Sequence, residues 1–249
     1  FEQDSCPSSG TTSLSTGERS FETGGETLFR GRDGQGEEGS GRVVSEHHLV
    51  PLKAADGSIV DAVLHERVDA GYGLKVDGKW KAYLAAETVR AVTEGRAVSH
   101  LEHGHWEWGE KIKESAHLLS CPTLAIEYAD ETQGLMLVQT DGHFGKLPQQ
   151  IDKPLVYVVY LATAPWNLRA LGAMPRFSGV GLVMLHAAIQ MSVDNEFKGR
   201  IGLHSLPQAE KFYERQGFQC LGVDLEKEGL KYYELSPQAA SEFIGRSTL

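Results

Sequence analysis

The fold is decided by a stretch that begins with Leu155-Val156-Tyr157-Val158-Val159-Tyr160-Leu161 and continues with Arg176-Phe177-Ser178-Gly179-Val180-Gly181. After a helix-sized segment it reads Arg200-Ile201-Gly202-Leu203-His204 and then Ser205-Leu206-Pro207-Gln208-Ala209-Glu210-Lys211-Phe212-Tyr213-Glu214-Arg215-Gln216-Gly217-Phe218. The first run has the length of a strand and is rich in Val and Tyr, which favour strands. We therefore interpret the stretch as a strand, a glycine turn that opens a helix, a second strand and a second helix.

The glycine turn has the composition of an anion-binding site at the start of a helix. The helix is predicted from Val180 to about Asp194, with one apolar face formed by Leu182, Leu185, Ile189 and Val193. The first turn of a helix has unpaired N–H groups and the positive end of the helix dipole, and glycine lets a ligand come close to both. Arg176 could add a charge-assisted contact to a phosphate. Taken alone, the two glycines fit a tight loop into a buried helix equally well.

The second helix is predicted to be capped at both ends. Ser205 and Gln208 have the spacing of a capping box. Gly217 stands where a left-handed residue ends a helix, and Phe218 is the apolar residue that closes such a motif. Taken alone, Tyr213 could simply pack through its ring. The two segments become informative because they occur in this order with one strand between them.

Composition argues against two classes of partner. The 249 residues fit one large domain, or one domain with a tail, and the formal net charge is −10. A nucleic-acid surface needs a clustered excess of Lys and Arg, and a membrane span needs a long apolar run, and the sequence shows neither. The three cysteines have no metal-ligand spacing and favour a reducing compartment. The first residues show no secretory signal, so we expect a cytoplasmic protein. From its charge and its lack of long apolar runs, we expect neither nucleic-acid nor membrane partners.

Three regions are predicted along the chain. Residues 1–42 are rich in Gly, Ser and Thr and poor in large apolar residues, so we expect a disordered low-complexity tail. Residues 43–100 are predicted as an N-terminal β-hairpin and helix extension, and residues 101–249 as the main domain. Within the extension, Asp56-Gly57 and Asp77-Gly78 each lie between two apolar runs, which predicts two hairpins, the second with a type I′ turn.

The remaining elements occur in a mixed order. Helices are predicted over residues 87–94 and 106–119. Strands are predicted over residues 123–128, 134–139, 218–222 and 231–235, and residues 129–133 link the first two of these. Strands and helices that do not alternate regularly favour an α+β fold, with a mixed, largely antiparallel sheet flanked by helices.

Together, the glycine turn and the second helix resemble the GNAT superfamily, the Gcn5-related N-acetyltransferases. The family's acetyl-CoA signature is Arg/Gln-x-x-Gly-x-Gly/Ala, which Arg176, Gly179 and Gly181 match. The run Leu161-Ala162-Thr163-Ala164-Pro165 is similar to the family's strand-to-loop segment, and residues 209–218 are similar to its later helix. The resemblance implies a GNAT-like fold, with residues 101–249 as the acetyltransferase domain, acetyl-CoA as co-substrate and no metal.

The resemblance also implies roles for individual residues. The pyrophosphate of acetyl-CoA would be held by the N–H groups of Phe177, Ser178, Gly179, Val180, Gly181 and Leu182. The main chain of Leu161 and Thr163 would pair with the pantetheine arm like an added strand. Tyr213 matches the position that protonates the departing CoA thiolate, and a phenol near the sulfur is a suitable acid. The inserted residues 166–175 and the two predicted hairpins depart from the family pattern where the acceptor usually binds.

A base is expected as well, because most amines are protonated at pH 7 and must be neutral to attack a thioester. Glu127 is the first candidate, followed by Asp130, Glu131 and His204, and an ordinary surface or core role stays open for each. A metal cluster can be imagined at His100, His103 and His105, but a loop and a helix start explain these residues more plainly.

We expect an acetyl-CoA-dependent N-acetyltransferase that moves an acetyl group to a primary amine of a small molecule or a protein, by direct attack on the thioester. The alternative is a non-catalytic GNAT-like module that binds CoA or a protein partner. A ribosome- or tRNA-directed acetyltransferase fits the acidic net charge poorly. The acceptor, the acyl chain length and the oligomeric state stay open.

Overall fold

The computed structural model describes residues 30–31, 47–97, 101–171 and 174–247. Within these ranges the strands are β1 Arg30–Gly31, β2 His47–Ala54, β3 Ile59–His65, β4 Thr123–Tyr128, β5 Glu131–Gln139, β6 Val156–Thr163, β7 Phe177–Ser178, β8 Ile201–Ser205, β9 Gln219–Asp224 and β10 Leu230–Leu235. The α-helices are α1 Ala70–Thr93, α2 Trp108–Ser115, α3 Val180–Asp194, α4 Glu210–Arg215 and α5 Pro237–Ser247. Apart from residues 30–31, the tail predicted as disordered over residues 1–42 lies outside the described ranges.

The strands form one mixed sheet in the order β1-β2-β3-β4-β5-β6-β8-β10-β9, and β7 pairs with β2 beside this path. The neighbours are antiparallel except for β6 and β8, which run parallel. A parallel pair needs a long crossover connection, and the segment containing α3 supplies it. The predicted α+β fold with a largely antiparallel sheet flanked by helices is confirmed. Among the described helices, none combines the length and the apolar character needed to cross a membrane.

Each face of the sheet carries its own apolar core. We call them the α3 face and the α1 face. On the α3 face, strand residues pack with α3 and α5, and they include Val156, Val158, Ile201, Leu203, Tyr233 and Leu235. On the α1 face, strand residues pack under Trp80 of α1 and Trp108 of α2, and they include Ala125, Leu135, Leu137 and Ala162. Because side chains alternate along a strand, these sets also assign their neighbours to a face.

Helix α3 has the predicted bounds but is buried on more sides than predicted. Leu185 and Ile189 are fully buried, as their spacing indicated. Leu182 and Val193, which were predicted on the same face, are 37% and 45% exposed. The helix packs against the sheet on one side and α5 on another, so its buried surface is wider than a single stripe.

The first predicted hairpin is confirmed and the second is wrong. Strands β2 and β3 form an antiparallel pair around a turn in which Gly57 has a φ of +88°. The Asp77-Gly78 pair lies inside α1, a single 24-residue helix that also contains the helix predicted at residues 87–94. The helix predicted at residues 106–119 is the shorter α2.

Contacts between distant residues explain why Asp77-Gly78 does not form a turn. Asp69 caps α1 by accepting a hydrogen bond from the N–H of Tyr72 at 2.8 Å. The buried carboxylate of Asp77 accepts the N–H groups of Trp108 and Gly109 at 2.8 and 2.9 Å. Asp77 therefore satisfies the start of α2 from the neighbouring helix, a role that its local sequence does not show.

The N-terminal hairpin continues the same sheet as the later strands. Strand β3 pairs with β4 at Leu64↔Ile126, and β2 pairs with β7 at Lys53↔Ser178. The division into an extension of residues 43–100 and a domain of residues 101–249 stays a prediction.

Strands β4 and β5 are joined by a two-residue turn, which is tighter than the predicted link of residues 129–133. Ala129 and Asp130 have φ values of +51° and +60°, and Tyr128 pairs with Glu131. Positive φ at both central residues is the geometry of a type I′ turn, which favours Asn-Gly. A side chain with a Cβ atom is strained in this left-handed region.

Replacing Ala129 by Asn together with Asp130 by Gly is expected to stabilise the protein, because both new residues adopt positive φ more easily. A gain of about 1 kcal/mol corresponds to a rise in Tm of about 2–4 °C for a chain of this size. Ala116→Asn is the control, because Ala116 has a φ of −58° and gains nothing from Asn. An equal change in Tm for the turn variant and the control would contradict the role of turn geometry.

Candidate active site

The parallel strands β6 and β8 separate part-way along their length. They pair at Val156↔Ile201, Tyr157↔Gly202 and Val158↔Leu203. Beyond the last of these pairs, β6 continues to Thr163 and β8 to Ser205 without pairing to each other. We call the resulting gap the strand fork; its base lies at Val158 and Leu203.

Beyond the base, β6 directs main-chain groups into the fork. The N–H of Ala164, directly after β6, donates to the carbonyl of Gln133 in β5 at 2.9 Å. Successive residues of a strand point their main-chain groups to opposite sides, so those of Leu161 and Thr163 face the fork. The fork can therefore accept an extended ligand by strand-like pairing. The predicted pairing of Leu161 and Thr163 with pantetheine stays a prediction.

The glycine turn lies beside the open end of the fork. Gly179 has a φ of +85° and directly precedes α3, a backbone conformation that favours glycine. On the facing strand, Gly134 pairs with Thr163, and a Cβ atom at Gly134 would lie only 2.8 Å from Cγ1 of Val180. The absence of that atom lets the start of α3 come close to the sheet, level with Thr163.

Some of the N–H groups predicted to hold the pyrophosphate already form hydrogen bonds within the protein. The N–H of Phe177 donates to Oδ1 of Asn167 at 2.9 Å, and the N–H of Leu182 donates to the carbonyl of Gly179 at 2.9 Å. Ser178 belongs to β7 and pairs with β2. The N–H groups at the start of α3 are those around Gly179, Val180 and Gly181. The role of residues 177–182 in holding a pyrophosphate stays a prediction.

Arg176 is engaged by an acidic partner. Its Nη1 lies 2.9 Å from Oε2 of Glu131, and its guanidinium carbon lies 5.0 Å from the ring centre of Trp166. Its carbonyl accepts the N–H of Ala55 at 2.9 Å, which ties the turn to the β2–β3 hairpin. The predicted contact between Arg176 and a phosphate stays a prediction.

A hydrogen-bonded chain that the sequence did not reveal fixes the start of the long loop. Gln133 of β5 is fully buried, and its Oε1 accepts from Nε1 of Trp166 at 2.9 Å and from Nδ2 of Asn167 at 3.1 Å. Asn167 in turn accepts the N–H of Phe177. These hydrogen bonds join the sheet to the inserted loop and the loop to the glycine turn. They therefore fix the position of the turn relative to β5.

Helix α4 begins later than predicted, and the capping box at its start is wrong. Ser205 is the last residue of β8, and its hydroxyl donates to the carbonyl of Leu206. Pro207 opens a short 3₁₀ turn, and the α-helix begins only at Glu210. Because proline fixes φ and has no N–H, it favours the first position of such a turn over a residue inside a helix that starts at Ser205.

The end of α4 is as predicted. Gly217 has a φ of +93°, and its N–H donates to the carbonyl of Glu214 at 3.1 Å. The N–H of Phe218 donates to the carbonyl of Tyr213 at 3.2 Å, and the two rings lie 5.4 Å apart. These bonds and this apolar contact form a complete Schellman motif.

Helix α4 meets the glycine turn on the α3 face. A Cβ atom at Gly181 would lie 3.3 Å from Cζ of Phe212, so the two predicted segments are in contact. Tyr213 is 7% exposed and packs between the rings of Phe218 and Tyr233. Burial raises the pKa of Tyr213, so its phenol stays protonated at neutral pH. That is the state an acid needs; its role towards the CoA thiolate stays a prediction.

The opposite face offers a second approach to the fork. The N–H of Gln208, just after β8, donates to Oε2 of Glu102 at 3.3 Å, and its Nε2 lies 3.1 Å from Nδ1 of His103. Residues 101–106 thus connect the α1 side to the far side of the fork. A small cleft opens here, and its walls include Trp80, Lys81, Trp106, Trp108, Thr163 and Pro165. Because Thr163 lines both, the cleft and the fork meet.

Glu127, the first candidate for the base, lies in a cluster away from the fork. It is on β4, with β5 between it and β6, which places it about 10 Å from β6 across the sheet. The hydroxyl of Tyr72 donates to its Oε2 at 3.0 Å, and Nε2 of His65 lies 3.8 Å from its Oε1. Its role as a base stays a prediction.

The other three candidates occupy different environments. Asp130 lies in the β4–β5 turn, where its carbonyl accepts from Nζ of Lys79. Glu131 forms the ion pair with Arg176. His204 follows Leu203 in β8 and therefore stands directly at the base of the fork. Of the four candidates, only His204 is brought to the fork by the fold.

The histidines considered as a metal cluster do not form one in the described residues. His100 lies outside the described ranges, and His103 is hydrogen-bonded to Gln208. Elsewhere in residues 30–31, 47–97, 101–171 and 174–247, no three His, Cys, Asp or Glu side chains are arranged to hold a metal ion.

The glycine turn, the crossover helix α3 and helix α4 are also the part of the chain that matches a known family. The acetyltransferase (GNAT) domain family matches residues 175–236, from just before the turn to the end of β10. Residues 175–236 belong to a GNAT acetyltransferase domain. Acyl transfer is the reaction class that this assignment supports. No curated protein matches the chain.

Solved structures similar to this chain include proteins of several kinds. A GNAT-family acetyltransferase from Listeria monocytogenes is 15% identical, with a TM-score of 0.46, over 74% of this chain and 98% of that one. The PaiA N-acetyltransferase from Thermoplasma acidophilum, in complex with coenzyme A, is 14% identical, with a TM-score of 0.39, over 69% and 97%. A bacterial toxin is 17% identical, with a TM-score of 0.42, over 55% and 79%. At TM-scores below 0.5, these likenesses add nothing to the assignment.

Gly134→Ala is expected to destabilise the domain and move the start of α3 away from β5, because the new Cβ atom would lie 2.8 Å from Val180 and 3.2 Å from Met184. Overpacking of this kind costs about 1–3 kcal/mol, measurable by denaturant unfolding. Gly78→Ala is the control, since Gly78 is exposed on α1 with no atom within 4 Å, and alanine favours helices. Equal stability of wild type and Gly134→Ala would show that the close approach is unimportant.

Proposed function

We propose that the protein is an acetyl-CoA-dependent N-acyltransferase that moves an acetyl group to a primary amine of a small molecule or a protein. The observation that carries this proposal is the strand fork with the glycine turn at its open end. The fork can pair its main chain with an extended ligand arm. The glycine turn presents the N–H groups at the start of α3 to an anion. Acetyl-CoA combines such an arm with a pyrophosphate.

The residues around the fork fit this ligand. Gly134 and Gly181 let Val180 of α3 and Phe212 of α4 pack close to the main chain, and no atom lies within 4 Å of an added Cβ atom at Gly179. The N–H groups around Val180 would hold the pyrophosphate, and the fork side of Leu161 would pair with the arm. The thioester would then reach towards the base of the fork, where the strands close.

The proposed acceptor side is the α1 face. The cleft that meets the fork at Thr163 has aromatic walls from Trp80, Trp106 and Trp108. Aromatic rings attract alkylammonium groups through their faces. The protein shows this contact internally, because Nζ of Lys111 lies 3.6 Å from the ring centre of Tyr160. A primary alkylamine is therefore the acceptor class that this side favours.

Two residues are proposed for proton transfer on the evidence of the sequence. Tyr213 would donate a proton to the CoA thiolate; its phenol is protonated at neutral pH, and it packs against Phe212, whose ring lies near Gly181. Glu127 would accept the proton of the amine, and Glu127→Gln tests this by removing the charge at nearly constant shape. A normal rate for that variant would remove Glu127 from the mechanism.

Gly179→Ala is expected to weaken CoA binding strongly, because a Cβ atom at φ +85° strains the turn whose N–H groups face the pyrophosphate. Gly95→Ala is the matched control. Gly95 has a φ of +66°, lies after α1, and like Gly179 has no atom within 4 Å of an added Cβ. Each substitution should cost about 1–2 kcal/mol of stability, and only Gly179→Ala should raise the Kd for CoA measured by calorimetry. Equal affinities would place the cofactor elsewhere.

Tyr213→Phe is expected to lower kcat for acetyl transfer by about 10²-fold with an unchanged Kd for CoA, because a general acid acts in the reaction and not in binding. Tyr233→Phe is the control in the same core, since its hydroxyl donates to Glu214 and not towards the turn. The rate is measured by thiol release from acetyl-CoA across a panel of primary amines. CoA binding without transfer to any amine would contradict the proposed function.

A further inference from the structure

We propose that Tyr157, His204 and Asp224 form a proton relay at the base of the strand fork, in which the hydroxyl of Tyr157 takes the proton of the attacking amine. The inference rests on the proposed acyl transfer and names the group that accepts a proton from the amine as it attacks. It differs from the sequence-based candidate Glu127, which lies on β4, about two strand spacings away from β6.

The three side chains form a continuous hydrogen-bonded chain. The hydroxyl oxygen of Tyr157 lies 2.6 Å from Nδ1 of His204, and Nε2 of His204 lies 3.0 Å from Oδ2 of Asp224. They come from β6, β8 and the end of β9, so the sheet fixes their spacing. The other carboxylate oxygen of Asp224 accepts the N–H of Glu226 at 3.0 Å, which holds the carboxylate in place.

The partners determine which nitrogen of His204 carries the proton. A carboxylate only accepts hydrogen bonds, so Nε2 of a neutral His204 donates to Asp224. Nδ1 then has a free lone pair and accepts the hydroxyl of Tyr157. The oxygen of Tyr157 keeps lone pairs for a further donor. In this arrangement Tyr157 can take a proton, His204 can accept the proton that Tyr157 loses, and Asp224 orients His204.

The chain lies at the position where the thioester would end. Tyr157 and His204 flank the last pair of the fork, Val158↔Leu203. Val158 and Leu203 face α3, so Tyr157 and His204 face the opposite, α1 side, by alternation. The proposed acetyl-CoA site lies at the turn on the α3 side, and the proposed amine approaches from the α1 side. The relay therefore lies on the same face of the sheet as the proposed amine cleft, further along β6 from Thr163 towards the base of the fork.

The surroundings keep both proton carriers neutral. Burial lowers the pKa of His204, opposed by its hydrogen bond to Asp224, so the imidazole is unprotonated at neutral pH. Burial and the nearby Asp224 raise the pKa of Tyr157. The charged or titratable groups that face His204 from the neighbouring elements are Tyr157, Tyr232, Asp224, His143, Lys146 and Lys227.

The transfer step balances without a further reactant. The amine enters in its neutral form, and as its nitrogen forms a bond to the thioester carbonyl carbon, one of its protons passes to the oxygen of Tyr157. The proton of Tyr157 passes to Nδ1 of His204, and the imidazolium that forms is stabilised by Asp224. The carbon–sulfur bond breaks, and the thiolate takes a proton from Tyr213. In this step Tyr157 touches the substrate, and Asp224 acts as a positioning residue.

The test measures kcat/KM for the best amine of the panel between pH 5.5 and about pH 9, the range in which histidine and amine titrate. Tyr157→Phe and His204→Gln should each lower kcat/KM at pH 7 by about 10²-fold, with the Kd for CoA unchanged. Asp224→Asn should lower the pKa of His204, because it removes the carboxylate that favours imidazolium. Asp61→Asn and His117→Gln, both exposed and outside the relay, are controls that should behave as wild type. Rates near wild type for Tyr157→Phe and His204→Gln across this range would overturn the relay.

A second measurement separates failure of the relay from failure of the proposed function. In histidine-labelled protein, the ring signals of His204, assigned by their loss in His204→Gln, should show the neutral Nε2–H form at pH 7. Adding acetyl-CoA should shift them, because the thioester reaches the base of the fork. A shift of these signals supports the relay even if no amine of the panel is acetylated. Ring signals that do not respond to bound acetyl-CoA would place His204 away from the reacting atoms and overturn the relay.

Discussion

The arrangement of this protein depends on where two parallel strands stop pairing. Strands β6 and β8 share only the pairs from Val156↔Ile201 to Val158↔Leu203. Because the pair is parallel, a long crossover connection joins the strands, and the helix in that connection, α3, starts beside the open end of the gap. The same separation leaves main-chain groups of β6 facing the gap. The proposed cofactor site and the proposed relay both depend on that early end of pairing.

Local sequence predicted those parts of the fold whose cause is local. The glycine turn, the bounds of α3 and the Schellman end of α4 depend on residues within a few positions of each other, and each is found where it was predicted. The Asp77-Gly78 hairpin failed for the opposite reason. Asp77 is explained only by the N–H groups of Trp108 and Gly109, which the chain brings to it from another helix. The helical spacing of Val76, Trp80 and Tyr83 was the signal that could have revealed α1.

The candidate site shows the same division. Residue type alone made both Glu127, the first candidate, and His204 possible bases, since a carboxylate and an imidazole can both accept a proton. Strand order separates them, because β5 lies between Glu127 and β6 while His204 stands at the fork itself. No spacing in the sequence indicates that Tyr157, His204 and Asp224 meet, since long connections separate them along the chain. Gln133 and Asn167 were missed likewise, because an amide becomes informative only when its partners are known.

The pairing of β2 with β7 has a consequence for how the chain can be divided. Lys53 and Ala54 lie opposite Ser178 and Phe177, so the tip of the N-terminal hairpin is the neighbour of the segment that leads into the glycine turn. A fragment cut between residues 100 and 101 would lose that brace and would expose the outer edge of β4, which β3 now covers. Uncovered edges of this kind invite pairing between molecules. The smallest unit that keeps the turn in place therefore includes residues far upstream of the segment by which the family is recognised.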